Sequence, residues 1–471
     1  VTTTRSGVRQ HPTVEERRER GAAARREVPR SRLAEWDPPA DRFDPVQLLE
    51  SQAVSRIQDL VPIRYGRMLA SPFAFYRGAA AIMAADLAAS PTSGITVQAC
   101  GDAHLSNFGL YASPARTLVF DLNDFDETLP APWEWDVKRL TASLEIAGRN
   151  NGFGRKDRRR IVRAAAAGYR TTMRDFAEKP NLEVWYSRST VQKHMPVMKQ
   201  MLTPKDFAQA EKVVTKAMAQ DSSRAASRLT RVVDGQRRIV HDPPLIEPME
   251  MLGSADEAAR VSGAMHEMIN DYRQTLSLES RYVLESFRYV HLARKVVGVG
   301  SVGTRAWIIL MTGRDDEDVL LLQAKEAQAS VLAPYAEASQ FDNQGQRVVE
   351  GQRLMQASGD IFLGWHRAEG IDGQLRDYYI RQLRDWKGSW DPAAMSPHAM
   401  VVYGSLCGAV LARAHARSGD RIAIASYLGS SDRADRALVD FAEAYADQNE
   451  RDCAALRRAV EDGRCAATTG V

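Results

Sequence analysis

Cys100-Gly101-Asp102-Ala103-His104-Leu105-Ser106-Asn107, followed by Phe120-Asp121-Leu122-Asn123-Asp124-Phe125-Asp126, is the stretch whose reading decides the fold. Each polar motif ends an apolar β-like run: Ile95-Thr-Val-Gln-Ala-Cys100 before the first, Thr117-Leu-Val-Phe120 before the second. A strand holds a carboxylate rigidly while the loop after it exposes that carboxylate, so both motifs sit where chemistry is often carried. One such loop would read as a turn or a solvated acidic run. Two in succession read as a site. The residue types suit phosphoryl transfer, which needs positioning and charge neutralisation more than covalent chemistry. Asp102 can orient or deprotonate a hydroxyl. Asn107 and Asp124 are hard oxygen ligands of the kind Mg²⁺ takes, with Asp126 a further one. His104 joins Asp102 as a catalytic candidate, and Asp121 reads as structural.

Working outward, residues 1–39 are rich in Arg and Glu and read as a polar, solvated tail, partly disordered and partly helical. Asp44-Pro45 reads as a helix start, with Leu48, Leu49, Ala53, Ile57, Leu60 and Val61 at helical spacing after it. A second helix is expected over 74–89. Helical patterning covers most of 136–290, including 156–177 and 255–289. The stretch 180–250, broken by Pro180, Pro196 and Pro243-Pro244, reads as a helical insertion or cap. Net charge is +3 from 63 basic and 60 acidic residues, which gives no general argument for nucleic acid or membrane binding. The four cysteines have no metal-type spacing and read as free thiols in a reducing compartment. No apolar run reaches the roughly 20 residues of a membrane span, so the expectation is a soluble cytoplasmic protein.

The texture changes near 294. Lys295-Val-Val-Gly-Val-Gly300, Ala306-Trp-Ile-Ile-Leu-Met311 and Val319-Leu-Leu-Leu-Gln-Ala-Lys325 are three β-like runs. Gly298, Gly300, Ser301 and Gly303 form a GxGxxG segment. That pattern also marks dinucleotide turns, but those open a helix, whereas Thr304 to Leu310 reads as a strand. Glycines let backbone N–H groups approach phosphate, and Lys325 at the end of the third run could pair with it. A helix around 344–357, a strand at 361–365 and strand character from Asp377 come next. Glu350 on that helix is the expected partner of Lys325, with Glu337 second. Helices at 399–417 and 433–461 close the chain. His415 reads as structural. Arg64, Arg67 and Arg77, set among apolar residues, either bind a substrate anion or make buried ion pairs.

Gly101-Asp-Ala-His-Leu-Ser-Asn107 is similar to the catalytic loop of aminoglycoside phosphotransferases and related small-molecule kinases, with Cys100 where those enzymes usually have histidine. The resemblance implies that Asp124 is the metal-binding aspartate and that Asp136, twelve residues on, is a structural aspartate at a helix start. The wider set Val61-Pro-Ile-Arg-Tyr-Gly-Arg-Met68, Phe75-Tyr-Arg-Gly78, Gly101 to Gly109, Asn123 to Glu127, Gly298 to Gly303 and Gln323-Ala-Lys-Glu-Ala327 resembles a bacterial family catalogued as domain of unknown function 2252, which is grouped with kinase-like folds.

Kinases place the glycine loop and lysine before the Asp…Asn…Asp set. Here the order is reversed. The resulting expectation is an α/β kinase-like two-lobe fold, circularly permuted: a helical catalytic lobe over 40–290, a β-rich nucleotide lobe over 291–390, and 391–471 returning helices to the first. The expected cofactors are ATP and Mg²⁺, and the expected reaction is transfer to a hydroxyl of a small molecule. Three rivals stand beside it: AMP transfer, nucleotide binding without catalysis, and a metal-dependent hydrolase built on His104 and the aspartates.

Overall fold

Glu16 N donates to the Thr13 hydroxyl at 3.2 Å and Thr13 N donates to the Glu16 carboxylate at 2.7 Å, a capping box that starts helix α1 (Val14–Glu27). The computed structural model describes residues 11–470 except 221, 297, 371, 384 and 385, so residues 1–10 of the expected tail lie outside the described residues. The rest of that segment is not a solvated tail. Gly21 brings α1 so close to its neighbour that a Cβ there would lie 2.1 Å from the Ala423 oxygen. Arg25 and Arg30 donate to the Ser426 and Leu428 carbonyls at 3.1 and 2.5 Å. The charges that suggested solvation lie around a narrow small-residue seam.

Asp44 caps α2 (Pro45–Ala53), and α3 (Val61–Met68) comes after it. The helix expected over 74–89 is two, α4 (Pro72–Gly78) and α5 (Ala80–Ala88). β1 (Thr96–Ala99) delivers the first polar motif. β2 (Phe108–Ala112) pairs antiparallel with β3 (Leu118–Leu122), which delivers the second. β4 (Leu129–Pro132) pairs with β1 and runs into α6 (Trp133–Asn150), buried along nearly its whole length against α7 (Arg155–Ala177). The 180–250 region holds α8 (Asn181–Tyr186), α9 (Val191–Met201), α10 (Pro204–Met218) and α11 (Ser222–Leu229). It also holds a hairpin, β5 (Thr230–Val233) and β6 (Gln236–Ile239), turned by Asp234-Gly235 at φ 49° and 74°.

β7 (Ile246–Pro248), α12 (Ala255–Arg273) and α13 (Leu278–Leu284) lead to the main sheet. β8 (Arg288–Lys295), β9 (Ala306–Thr312), β10 (Val319–Ala327), β11 (Gly364–Glu369) and β12 (Leu375–Gln382) join β7 in antiparallel order β11-β12-β10-β9-β8-β7. The first of the expected strands ends at Lys295 instead of beginning there, and Val296 just beyond it packs with Leu60, Ile63 and Val302. α14 (Gln344–Met355) lies between β10 and β11 in the chain. One sheet face packs Leu292, Ile309, Leu320 and Ile380 against Tyr272 and Leu276 at the end of α12 and just beyond it.

α15 (Pro397–Ser418), α16 (Arg421–Leu428) and α17 (Arg433–Glu461) return to the helical side. By length and a mean hydropathy of 1.3, α15 is apolar enough to cross a bilayer, which corrects the reading that no such run exists. Here 72% of its apolar window is buried inside the protein, and a helix covered on all sides reads as apolar all round. The architecture is mixed α/β, mostly helical, with antiparallel sheets.

Candidate active site

Gly101 stands at φ +83°, and a Cβ there would lie 2.3 Å from the Glu127 carbonyl oxygen, so glycine alone lets the chain turn out of β1. The first turn of α6 anchors this loop. Asp136 Oδ2 accepts from Cys100 N at 2.6 Å, and its Oδ1 accepts from Gly101 N at 2.9 Å. His415 of α15 meets the same Oδ2 through Nε2 at 3.0 Å, and its Nδ1 lies 2.9 Å from the Tyr169 hydroxyl. Asp136 and His415 thus hold the loop from two helices.

Asp102 comes next. Arg139, on the same face of α6 as Asp136, reaches Asp102 Oδ1 with Nε at 2.8 Å and Nη2 at 2.7 Å. Arg139 is anchored in turn by the Tyr76 carbonyl at 2.7 Å and lies 3.9 Å over the Tyr76 ring. Burial pushes the Asp102 carboxyl up, and the Arg139 charge opposes that push. His104 is placed differently from the catalytic role expected of it. Its Nε2 is 3.7 Å from Asp102, its Nδ1 is buried without a partner, and burial holds the imidazole well below its ordinary pKa. A neutral ring at that distance orients nothing by hydrogen bonding. Its backbone shapes the loop instead, donating to Asp102 O and accepting from Asn107 N, both at 2.8 Å. Asn107 closes the turn through Nδ2 to Asp102 O at 2.6 Å, which keeps its Oδ1 as an acceptor.

From the end of β3, Asn123 N donates to Asn107 O at 2.9 Å, tying the second motif to the first. Asp124 is 36% exposed, on the cavity, and burial with repulsion from Asp126 pushes its carboxyl up. Asp126 is engaged on both oxygens. Oδ2 pairs with Lys325 and lies 3.4 Å from the Ser301 hydroxyl, and Oδ1 accepts from the Tyr379 hydroxyl at 2.7 Å. Burial opposes its ionisation, but Lys325 and Tyr379 outweigh burial and bring it below the usual carboxylate range. Lys325 on β10 lies opposite Tyr379 on β12, so strand alternation aims Gln323, Lys325, Tyr379 and Arg381 at one face. Lys325 is 4.0 Å from Asp124. Burial lowers the lysine pKa, but the two aspartates outweigh it and hold the ammonium protonated.

Two expectations change here. Glu350 does not pair with Lys325; it pairs with Arg353 at 2.9 Å, a third exposed. The inward face of α14 is taken by Arg347, which donates to the carbonyls of Thr128, Asp126 and Gln328 at 2.6, 2.8 and 2.8 Å. Glu337 is exposed in the segment before α14. Asp126, expected as a metal ligand, takes the place expected of Glu350.

The segment from 296 to 305 links the antiparallel neighbours β8 and β9 and holds a 3₁₀ turn at Val299–Ser301 rather than a bare hairpin turn. Its glycines differ. At Gly298 a Cβ would meet nothing within 4 Å, and at Gly300 only the Arg77 carbonyl at 3.4 Å. Among the described residues no packing requires glycine there, and both line the cavity. Gly303, at φ +87° with Arg56 against it, serves the turn. Arg56 donates to the Val302 and Gly300 carbonyls at 2.5 and 3.0 Å and pins the loop to the helical side.

Asp102, His104, Asn107, Asp124, Asp126, Gly298, Gly300, Ser301 and Lys325 all line one cavity of about 520 Å³. Sequence reasoning missed Glu127, Tyr379 and Arg381. Glu127 directly follows the second acidic motif, and its burial raises its pKa to about 7. Tyr379 and Arg381 alternate on the strand paired with the lysine strand, a signal visible only once the pairing is known. Among the described residues no group of three or more His, Cys, Asp or Glu side chains forms a metal cage. Asn107 and Asp124 instead fit an ion that shares its coordination with phosphate oxygens and water, as Mg²⁺ commonly does. Residues 56–459 match the family described as an uncharacterized protein conserved in bacteria, DUF2252, and the chain belongs to that family. No curated protein and no solved structure matches it.

Proposed function

We propose that this DUF2252 protein is a permuted, kinase-like phosphotransferase that moves the γ-phosphoryl group of Mg·ATP to a hydroxyl of a small molecule. One observation carries the reading: Asp102, Asn107 and Asp124 face Lys325 and the glycine loop across one cavity, although some 200 residues separate the two sets. Supporting it, the glycine loop joins the first two strands of the β8-β9-β10 series and the lysine is on the third, as in kinases.

Mg·ATP would supply the transferable phosphoryl group and the positive charge that neutralises it. Asn107 and Asp124 would hold the ion. Lys325 would exchange its pairing with Asp126 for phosphate oxygens, and the N–H groups around Gly298 and Gly300 would approach them. Asp102 accepts the proton of the attacking hydroxyl as the new O–P bond forms and the bond to the departing ADP breaks. Arg139 holds Asp102 in position for that transfer. Against the hydrolase alternative stands His104, whose Nε2 is 3.7 Å from Asp102, beyond hydrogen-bond distance, and whose Nδ1 is buried without a partner.

The test is melting of the full chain with ATP, GTP and Mg²⁺, followed by mass analysis of products from a metabolite extract. A nucleotide that binds the native state raises its melting temperature, and Lys325→Ala should weaken that rise. Absence of purine nucleotide binding by calorimetry at millimolar ligand overturns the reading. An adenylylated product moves the assignment to AMP transfer.

A further inference from the structure

Arginines withdrawn from water in this protein are held either by carboxylates or by sets of carbonyl oxygens, as Arg347 is by Thr128, Asp126 and Gln328 and Arg421 by Phe176 and Lys179. Arg42 is paired with Asp86 and Asp452, Arg170 with Asp435, Arg413 with Asp121 and Arg139 with Asp102. Arg64 and Arg77, which line the cavity, have neither arrangement in full. Arg64 is 1% exposed, and its Nη2 donates only to the neutral oxygens of Gln52 and Gly78, both at 3.2 Å. Its Nε and Nη1 are buried with no partner, as is Nε of Arg77. Burial lowers the Arg64 pKa to about 9, the Arg56 charge adds to that effect, and Tyr65 opposes it. Burial also lowers Arg77, with Asp102 the one charge acting in its favour. Buried cations without a counter-charge are costly to the fold. Guanidinium forks match phosphate and carboxylate geometry.

The position selects which anion. Lys325 and the Gly298 loop meet the cavity from the sheet side. Arg64 and Arg77 enter from α3 and α4, and Asp102, the group assigned to the acceptor hydroxyl, is the charge acting on Arg77. We infer that Arg64 and Arg77 bind an anionic group, phosphate or carboxylate, carried by the hydroxyl compound that receives the phosphoryl group. This rests on the phosphotransferase reading above. It makes the acceptor class a small hydroxy acid or sugar-phosphate-like molecule rather than a neutral or cationic alcohol. It also bears on the choice left open for Arg64, Arg67 and Arg77: among the described residues neither Arg64 nor Arg77 makes an ion pair with a carboxylate.

The experiment is a melting series on the full chain at fixed ionic strength, with and without Mg·ADP. The probes are inorganic phosphate, glycerol 3-phosphate and glycerate, with glycerol as the neutral control. The anions should raise the melting temperature of the wild type, additively with Mg·ADP, and glycerol should not. The larger of the phosphate and glycerate responses identifies the headgroup. Arg64→Gln and Arg77→Gln should each weaken anion binding by roughly tenfold or more while leaving the Mg·ADP response intact. Arg77 is less buried than Arg64, so Arg77→Gln alone suffices if Arg64→Gln does not fold. Anions that fail to stabilise the wild type, or that stabilise both variants equally, overturn the site. So do anions that compete with Mg·ADP, since the arginines would then belong to the nucleotide. Anion binding without any nucleotide binding removes the phosphotransferase reading and the acceptor assignment with it. Nucleotide binding without anion binding removes only the subsite.

Discussion

Replacing Lys325 with methionine separates the charge pairing found here from the one the sequence suggested. The Lys325 side chain is 5% exposed and that of Asp126 is 24% exposed, so the ion pair is largely withdrawn from water. Removing one partner of a buried pair costs about 3–5 kcal/mol, because the other charge stays behind; water reaching Asp126 puts Lys325→Met near the lower end, about 3 kcal/mol. Asp126→Asn leaves Lys325 with Asp124 at 4.0 Å and should cost less, about 2 kcal/mol. The double variant strands neither charge, so it should cost well under the sum, with a coupling of about 2 kcal/mol. Glu350→Gln breaks only a part-exposed pair with Arg353 and should change stability by about 0.5 kcal/mol or less, with no coupling to Lys325. The assay is urea unfolding monitored by circular dichroism at pH 7. The folded-state pKa of Asp126 is depressed, so its stabilising contribution is complete above the ordinary carboxylate range and fades only as pH falls through the folded value. A Lys325–Asp126 coupling below about 0.5 kcal/mol, or a larger one between Lys325 and Glu350, refutes the reasoning.

The same geometry sets other outcomes. Asp102→Asn should lower turnover by about 10²–10⁴-fold with the Mg·ADP melting response unchanged, and Asp124→Ala should reduce both; wild-type turnover in Asp102→Asn removes its assigned role. Glu127 has its pKa raised from 4.5 to about 7, so its contribution is complete below pH 4.5 and lost as pH rises through 7. Glu127→Gln should remove up to about 3 kcal/mol of that decline, read as a flatter melting temperature between pH 5 and 8; an unchanged slope counts against its burial. Gly419→Val should crowd Val97, 2.5 Å from the new Cβ, and cost about 1–3 kcal/mol, whereas Gly154→Ala, with open space around it, should be nearly neutral on melting.

The legible parts of this protein were those with local causes. Strand ends carrying Asp102 and Asp124, the Asp44-Pro45 helix start, and the last helix at Arg433–Glu461 are written in patterning a few residues long. Convergence on the cavity was legible only through a borrowed constellation. What failed was pairing. Glu350 and Arg347 are three residues apart on α14, and either could face inward by periodicity. The choice depends on which carbonyls, at Thr128, Asp126 and Gln328, happen to lie opposite. The unmatched state of Arg64 was equally hidden, since a missing carboxylate partner is a property of the folded neighbourhood and not of any local pattern.

The reversed motif order raises the question of what a direct chain connection contributes if it can be dispensed with. In the proposed kinase arrangement the helix equivalent to α15 would run straight into the catalytic loop. Here its end and β1 are separated by most of the chain, yet Ser418 Oγ accepts from Gln98 N at 3.2 Å, and the close approach of Gly419 to Thr96 and Val97 keeps the two ends in contact. His415, one turn earlier, grips the loop again through Asp136. A covalent link lowers the entropy of bringing two segments together, and that cost grows only slowly with the length of the intervening chain. Packing of α15 among the helices supplies the same proximity by another route. The groups assigned to the proposed phosphoryl transfer are then fixed by Asp136, Arg139 and Asn107, none of which depends on the order in which the chain visits them. This is why the two carboxylate motifs could be read from sequence without knowing where the glycine loop would fall.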